Sequence, residues 1–154
     1  MKSFISLIIL FISTSVFSQY TGATPWDNCF EKNVSCKYVG CSDIKVNASS
    51  SPVLVIVKRY GKVIKHAYIS GYSSYTFEVL DGTYQVFFYY GSNWNDYKKM
   101  SSNECSSVYG GWNDDEYVSK DNPITLNGQI MTYTLTTVTN GNFSPKSSSL
   151  KEAL

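Results

Sequence analysis

One histidine among 154 residues leaves the chain almost without the side chain most used for acid–base chemistry near neutral pH. No G-x-S-x-G elbow, H-E-x-x-H pair or glycine-rich phosphate loop occurs, so the sequence signatures of α/β-hydrolases, zinc peptidases and P-loop enzymes are missing. A surplus of positive charge is missing too, since 13 Lys and Arg stand against 12 Asp and Glu. Nucleic acids and anionic membranes are bound through a clear excess of basic residues, and neither is expected as the main partner. No long segment repeats apolar residues at helical spacing. The lone histidine, His66, sits beside Lys65 and Ala67 in an alternating stretch with no serine or cysteine motif attached, and reads as an exposed strand residue.

The first residues set an expectation for the compartment. Lys2 precedes an apolar stretch from Phe4 to Phe17 that ends in the small residue Ser18, the order of charge, apolar run and cleavage chemistry in a secretory signal peptide. Ser6, Ser13, Thr14 and Ser15 interrupt the run, which falls short of the roughly 20 residues a spanning helix needs. Residues 1–18 are therefore expected to be removed, with no stable membrane insertion afterwards and a secreted or periplasmic product. Loss of Lys2 leaves the two signs of charge equal.

Four cysteines remain: Cys29, Cys36, Cys41 and Cys105. An even number in an oxidising compartment is expected to pair. All three possible connectivities tie Cys105 to the N-terminal segment. The spacings lack the paired C-x₂-C knuckles of zinc sites, and His66 lies far off, so no metal and no cofactor are expected.

Strand patterning dominates the middle of the chain. Val53 to Val57 is a continuous apolar run, as in a central strand covered on both faces. Tyr60-Gly61-Lys62 makes a reversal, and Val63 to Ile69 alternates, giving a hairpin. Tyr75, Phe77 and Val79 alternate with Thr76 and Glu78. Asp81-Gly82 is a turn dipeptide leading into Thr83 to Tyr90. Between Gly91 and Asn122 the alternation fails, and the stretch reads as a long irregular connection with one or two short strands. Order returns at Pro123, and Gln129 to Thr139 sets Met131, Tyr133 and Leu135 against a threonine face. Asn140-Gly141 closes that strand. Six or seven strands without an intervening helix indicate an all-β fold, an antiparallel β-sandwich, with a small β-barrel as the alternative.

The segment Val79-Leu80-Asp81-Gly82-Thr83-Tyr84 resembles the corner of immunoglobulin-like and transthyretin-like sandwiches, in which a tight turn delivers an aromatic ring to the core. With Gly61 to Ile69 before it and Gly91-Ser92-Asn93-Trp94 after it, the order resembles an uncharacterised group of bacterial exported β-domains over roughly residues 45–145. That resemblance implies a sandwich and carries no activity. The expected organisation is a signal peptide at 1–18, a cysteine-containing segment at 19–42, the sandwich at 43–143 and a mobile tail at 144–154, with a possible helical turn at 149–154. Asparagine sequons at Asn33, Asn47 and Asn142 are set aside on the bacterial resemblance.

Aromatic rings in the irregular stretch are the sequence's candidate binding feature. Trp94, Tyr97, Tyr109, Trp112 and Tyr117 lie among Asn and Asp side chains, the mixture of apolar area and hydrogen-bonding groups used by sugar sites and protein interfaces. The competing expectation is that these rings cover an open end of the sandwich. Trp94, Tyr97, Tyr109 and Trp112 are taken as the candidate ligand-binding residues. The function expected is a non-catalytic exported binding or interaction module for an unknown protein or glycan. A carbohydrate-binding module is the narrower alternative. A carboxylate-based hydrolase using Asp114, Asp115 or Glu116 ranks last, and a calcium site on the same acids lacks the alternating ligands of a known loop.

Overall fold

The computed structural model describes residues 19–37, 39–136 and 145–154. The signal-peptide expectation, the Asn140-Gly141 turn and the Asn142 sequon fall outside them. Nine strands are found among the described residues: β1 (Cys41–Asn47), β2 (Val53–Arg59), β3 (Lys62–Ile69), β4 (Ser74–Leu80), β5 (Gly82–Met100), β6 (Val108–Lys120), β7 (Ile124–Leu126), β8 (Ile130–Thr134) and β9 (Lys146–Ser148). A single helical turn, α1 (Leu150–Ala153), follows, capped by the Ser149 side chain.

Two sheets form. The smaller has the order β4-β1-β8 and the larger β3-β2-β5-β6-β9, with β7 also paired to β5. Neither closes on itself, so the architecture is a β-sandwich and not the alternative barrel. Among the described residues all pairings are antiparallel except β1 with β8, which run parallel.

The residues of β2 explain its central place. Val53, Val55 and Val57 face the smaller sheet, and Leu54 and Ile56 point the other way; all five are fully buried. Tyr60 and Gly61, both at positive φ (53° and 77°), turn the chain into β3, with Arg59 paired to Lys62. In β4, Phe77 and Val79 are buried while Thr76 and Glu78 face solvent, as alternation requires. At the Asp81-Gly82 corner the Tyr84 ring is buried and its hydroxyl donates to the Leu80 carbonyl, which ties the turn to the core. In β8, Tyr133 is buried and Thr132 and Thr134 are exposed, so the threonine face meets water.

Burial on both faces of the larger sheet divides the interior into two cores. The inner core lies between the sheets, around Ile44, Val46, Phe77, Phe88 and Tyr133. The outer core lies on the opposite face, where Leu54, Ile56, Phe87 and Tyr89 are covered by Trp26, Phe30, Ala153 and Leu154. Residues 19–37 are therefore part of the packed domain, and the same holds for Lys146–Leu154. The expected mobile tail is instead ordered over its described part: β9 pairs with β6, and Leu154 is 1 % exposed. Its serine-rich composition hides two apolar anchors.

The cysteines pair as Cys29–Cys105 and Cys36–Cys41. The first joins the N-terminal cover to the connection between β5 and β6, and the second closes a loop at the start of β1.

His66 overturns its expectation. It is fully buried, stacked on Trp26 at 5.7 Å, and its Nε2 accepts the Trp26 backbone N–H at 3.1 Å. Alternation holds from Lys65 to Ile69, but a register shift opposite Val57 and Lys58 places Val63 in the outer core and Ile64 against the inner one, and the face on which His66 lies is covered by the N-terminal segment and not by water. Burial holds its pKa down at about 4, against the smaller opposing pull of Asp27 and the Thr24 carbonyl.

Candidate functional site

The stretch expected to be irregular is the longest ribbon of the molecule. β5 and β6 pair from Phe87↔Lys120 to Met100↔Val108, whereas β2 supports β5 only as far as Tyr89. Beyond that point, among the described residues, the two strands run on as a pair without neighbours in the ladder. Register shifts between Tyr90 and Ser92 and between Asn95 and Lys99, with Asn93 and Asp115 at positive φ (55° and 49°), interrupt the alternation on which sequence reading relies.

The four candidate rings part company here. Trp112 is 2 % exposed and belongs to the outer core. Its ring packs on Trp94, Tyr68 and Tyr89 at 5.1, 5.9 and 6.4 Å, and its backbone N–H donates to the Tyr89 hydroxyl at 3.0 Å. Opposite it, Gly91 is required by close approach: a Cβ there would lie 2.4 Å from Trp112 Cβ and Cγ. Trp94 is half-buried, with Nε1 donating to Asp96 Oδ1 at 2.8 Å. Tyr97 and Tyr109 are the free rings, at 86 % and 44 % exposure.

Polar side chains surround them. Tyr97 N–H donates to Asn95 Oδ1 at 2.9 Å, and Asn95 Nδ2 donates to Asn113 Oδ1 across the strands at 3.3 Å. Asn93 donates to Asp114, and Gln19 donates to Asp96 at 2.9 Å, which ties the first described residue to the ribbon. The exposed surface thus presents two phenols and a set of prearranged amides and carboxylates on a two-stranded support.

The acidic run is partly engaged in structure. Glu116 accepts the Tyr89 hydroxyl at 2.6 Å and pairs with Lys98 at 2.8 Å. Burial raises the Glu116 pKa, but hydrogen bonds from Lys98 and Tyr89 outweigh it, so the group lies below its ordinary value. Tyr89 is pushed well above the usual phenol range, chiefly by burial and further by that carboxylate. Beside it, Tyr117 stacks on Tyr90 at 4.7 Å. Among the described residues no group of three or more His, Cys, Asp or Glu is placed to hold a metal ion, and no helix is long and apolar enough to cross a membrane.

Sequence reasoning missed the cover over the outer core. Trp26, Phe30 and Asn33 lie in a segment without periodicity, and their partners are distant: Trp26 Nε1 donates to the Gly110 carbonyl at 2.9 Å, while Asn33 accepts from His66 N–H at 3.2 Å and donates to its carbonyl at 2.8 Å. The available signal was compositional, a tryptophan and a phenylalanine flanking Cys29.

Compared with protein-family models, curated proteins and solved structures, the chain matches none.

Proposed function

We propose that this protein is a non-catalytic binding module, exported to a secreted or periplasmic location, that meets its partner through the exposed rings of the β5–β6 ribbon, Tyr97 and Tyr109. The observation that carries the reading is Tyr97, 86 % exposed on a strand and flanked by Asn95, Asp96 and Asn113. An exposed ring of this size on an ordered support presents apolar area at low conformational cost, and the neighbouring amides supply directional hydrogen bonds. Two disulfides accord with an oxidising compartment.

The partner class is a protein or a glycan. The glycan reading draws on the pairing of a free phenol face with amide side chains already fixed to one another, the arrangement that stacks a sugar ring and bonds its hydroxyls. Retention on a panel of insoluble glycans tests it. The expected result is binding to at least one polysaccharide that is lost in a Tyr97→Ala/Tyr109→Ala variant of unchanged melting temperature. Retention unaffected by the double substitution would remove Tyr97 and Tyr109 from the binding surface, and absence of retention on every glycan would leave a protein partner as the reading. Trp112, a core residue, is withdrawn from the contact set.

A further inference from the structure

A second site lies at the other end of β5 from the ribbon tip. A cavity of about 280 Å³ opens where the edges of the two sheets meet, walled by Ile64 of β3, Val79 and Leu80 of β4, and Tyr84, and roofed by Val34 to Lys37. Its charged lining among the described residues is unbalanced, with Arg59, Lys65 and Lys37 against the single carboxylate of Glu78. Among the described residues none of the three cations forms an ion pair. Glu78 is engaged with the Cys36 backbone N–H at 2.9 Å.

The donors are in surplus as well. Lys65 is only 9 % exposed, and among the described residues its ammonium is given one acceptor, the Val34 carbonyl, out of three possible bonds. Arg59 donates from Nη2 to the Asp81 carbonyl at 3.1 Å, while its buried Nε has no partner among the described residues. The guanidinium is held between the Tyr60 and Tyr84 rings at 5.2 and 5.4 Å and pressed on Gly82, where a Cβ would come within 2.5 Å of Nη2. Burial lowers the Lys65 pKa against the attraction of Glu78 and Glu31, as for a cation short of counter-charge. A cation drawn out of water without a direct ion pair is costly, and here two of them border one apolar hollow.

We propose that this cavity binds a small organic anion, a monocarboxylate with a compact apolar body, whose head meets Lys65 and Arg59 while its body lies against Ile64, Leu80 and Tyr84. The volume corresponds to about nine water molecules at the ~30 Å³ each occupies in the liquid, the scale of a small organic molecule. An adjoining polar cleft of about 160 Å³, lined by Asn33, Lys65 and Glu78, opens beside the charged end.

Benzoate and hexanoate are the probes, with benzamide and hexanamide as uncharged equivalents, titrated into the disulfide-bonded protein in low-salt buffer and followed by backbone amide NMR. Saturable shifts are expected at Val34 to Lys37, Lys65, Leu80 and Tyr84, with each amide at least tenfold weaker than its carboxylate. Val34 is 69 % exposed, so Val34→Asp sets a fixed negative charge in the roof without disturbing a core and is expected to abolish binding. Lys65→Met and Arg59→Gln are each expected to weaken it tenfold or more; Val34→Asp remains decisive where either fails to fold. Equal affinity for acid and amide, shifts centred elsewhere, unchanged binding in Val34→Asp, or no saturation by about 50 mM, far above the millimolar affinity suited to so small a ligand, would each overturn the assignment. Because the ribbon is not involved, loss of glycan or protein binding on Tyr97→Ala/Tyr109→Ala leaves this titration unchanged.

Discussion

The two faces of the larger sheet are closed by different means. On the inner face a second sheet supplies alternating apolar residues from three strands, and its register follows from period two. On the outer face the cover is chain of little regular structure: the N-terminal segment, the connection after β5, and α1. Particular bonds hold it, namely Trp26 to Gly110, Asn33 to His66, Cys29 to Cys105, and Lys58 Nζ to the Glu152 carbonyl at 2.8 Å. An interface of many equivalent contacts loses little when one is removed, whereas a cover held by a few ties opens when one is cut. The outer face is therefore where single substitutions are expected to have their largest effects.

The largest effect belongs to Cys29–Cys105. It links residues 76 apart, and the loop-closure estimate gives about 4.5 kcal/mol, against about 2 kcal/mol for Cys36–Cys41 with its separation of 5. Paired Cys→Ala variants compared by urea unfolding should show that ordering. Equal losses would mean that the outer cover holds without its sulfur tie. Next comes Trp112→Ala, which removes a ring at the centre of the outer core and is expected to cost roughly 3–5 kcal/mol, with Trp94→Ala nearer ~1 kcal/mol because its ring is half in solvent. Similar small costs for both would move Trp112 out of the core and back to the surface.

The inner face was legible in the sequence because its code is local. Val53 to Val57, Tyr75 to Val79 and Tyr84 to Tyr90 show their partners' nature in their own spacing, and the Asp81-Gly82 corner announced the buried Tyr84. β1 was overlooked although Ile44 and Val46 alternate with Asp43 and Lys45, because four residues of pattern beside two cysteines look like a loop. The outer face was not legible. Whether His66 meets water depends on Trp26, 40 residues away, and no local feature of Lys65-His66-Ala67 records that contact. The ribbon was misread for a related reason: Asn113 to Tyr117 are exposed on strands that extend beyond the sheet, so no buried face forced them to alternate.

His66 makes the outer cover sensitive to pH. In the unfolded chain the imidazole takes up a proton near pH 6.5, and in the folded protein only near 4. Between those values the unfolded state binds the additional proton, so stability is complete above about pH 6.5 and falls as the pH drops towards 4. The full loss is about 3 kcal/mol at 1.36 kcal/mol per pH unit. Protonation also turns Nε2 from an acceptor into a donor facing the Trp26 N–H, which should release the N-terminal cover first. Urea unfolding at pH 7.5 and 4.5 measures the loss, and His66→Gln, which keeps an acceptor but does not titrate, should flatten the dependence by that amount. An unchanged slope in His66→Gln would assign the acid sensitivity to carboxylates alone.

The smallest effect is the one that separates a ring that covers from a ring that waits. Tyr97 shares the ribbon with Trp112, yet it is 86 % exposed, and its removal takes away almost no buried area. Tyr97→Ala is expected to change stability by less than about 0.5 kcal/mol, the range of a surface position without special contacts. Thermal melts alongside Trp112→Ala give the comparison directly. A loss of 2 kcal/mol or more at Tyr97 would make that ring part of the cover; the difference between the two rings would vanish, and so would the reason for assigning Tyr97 to a partner. A neutral result keeps an exposed aromatic ring that folding does not need, on a support that folding holds in place, and contact with another molecule is the use that such a ring retains.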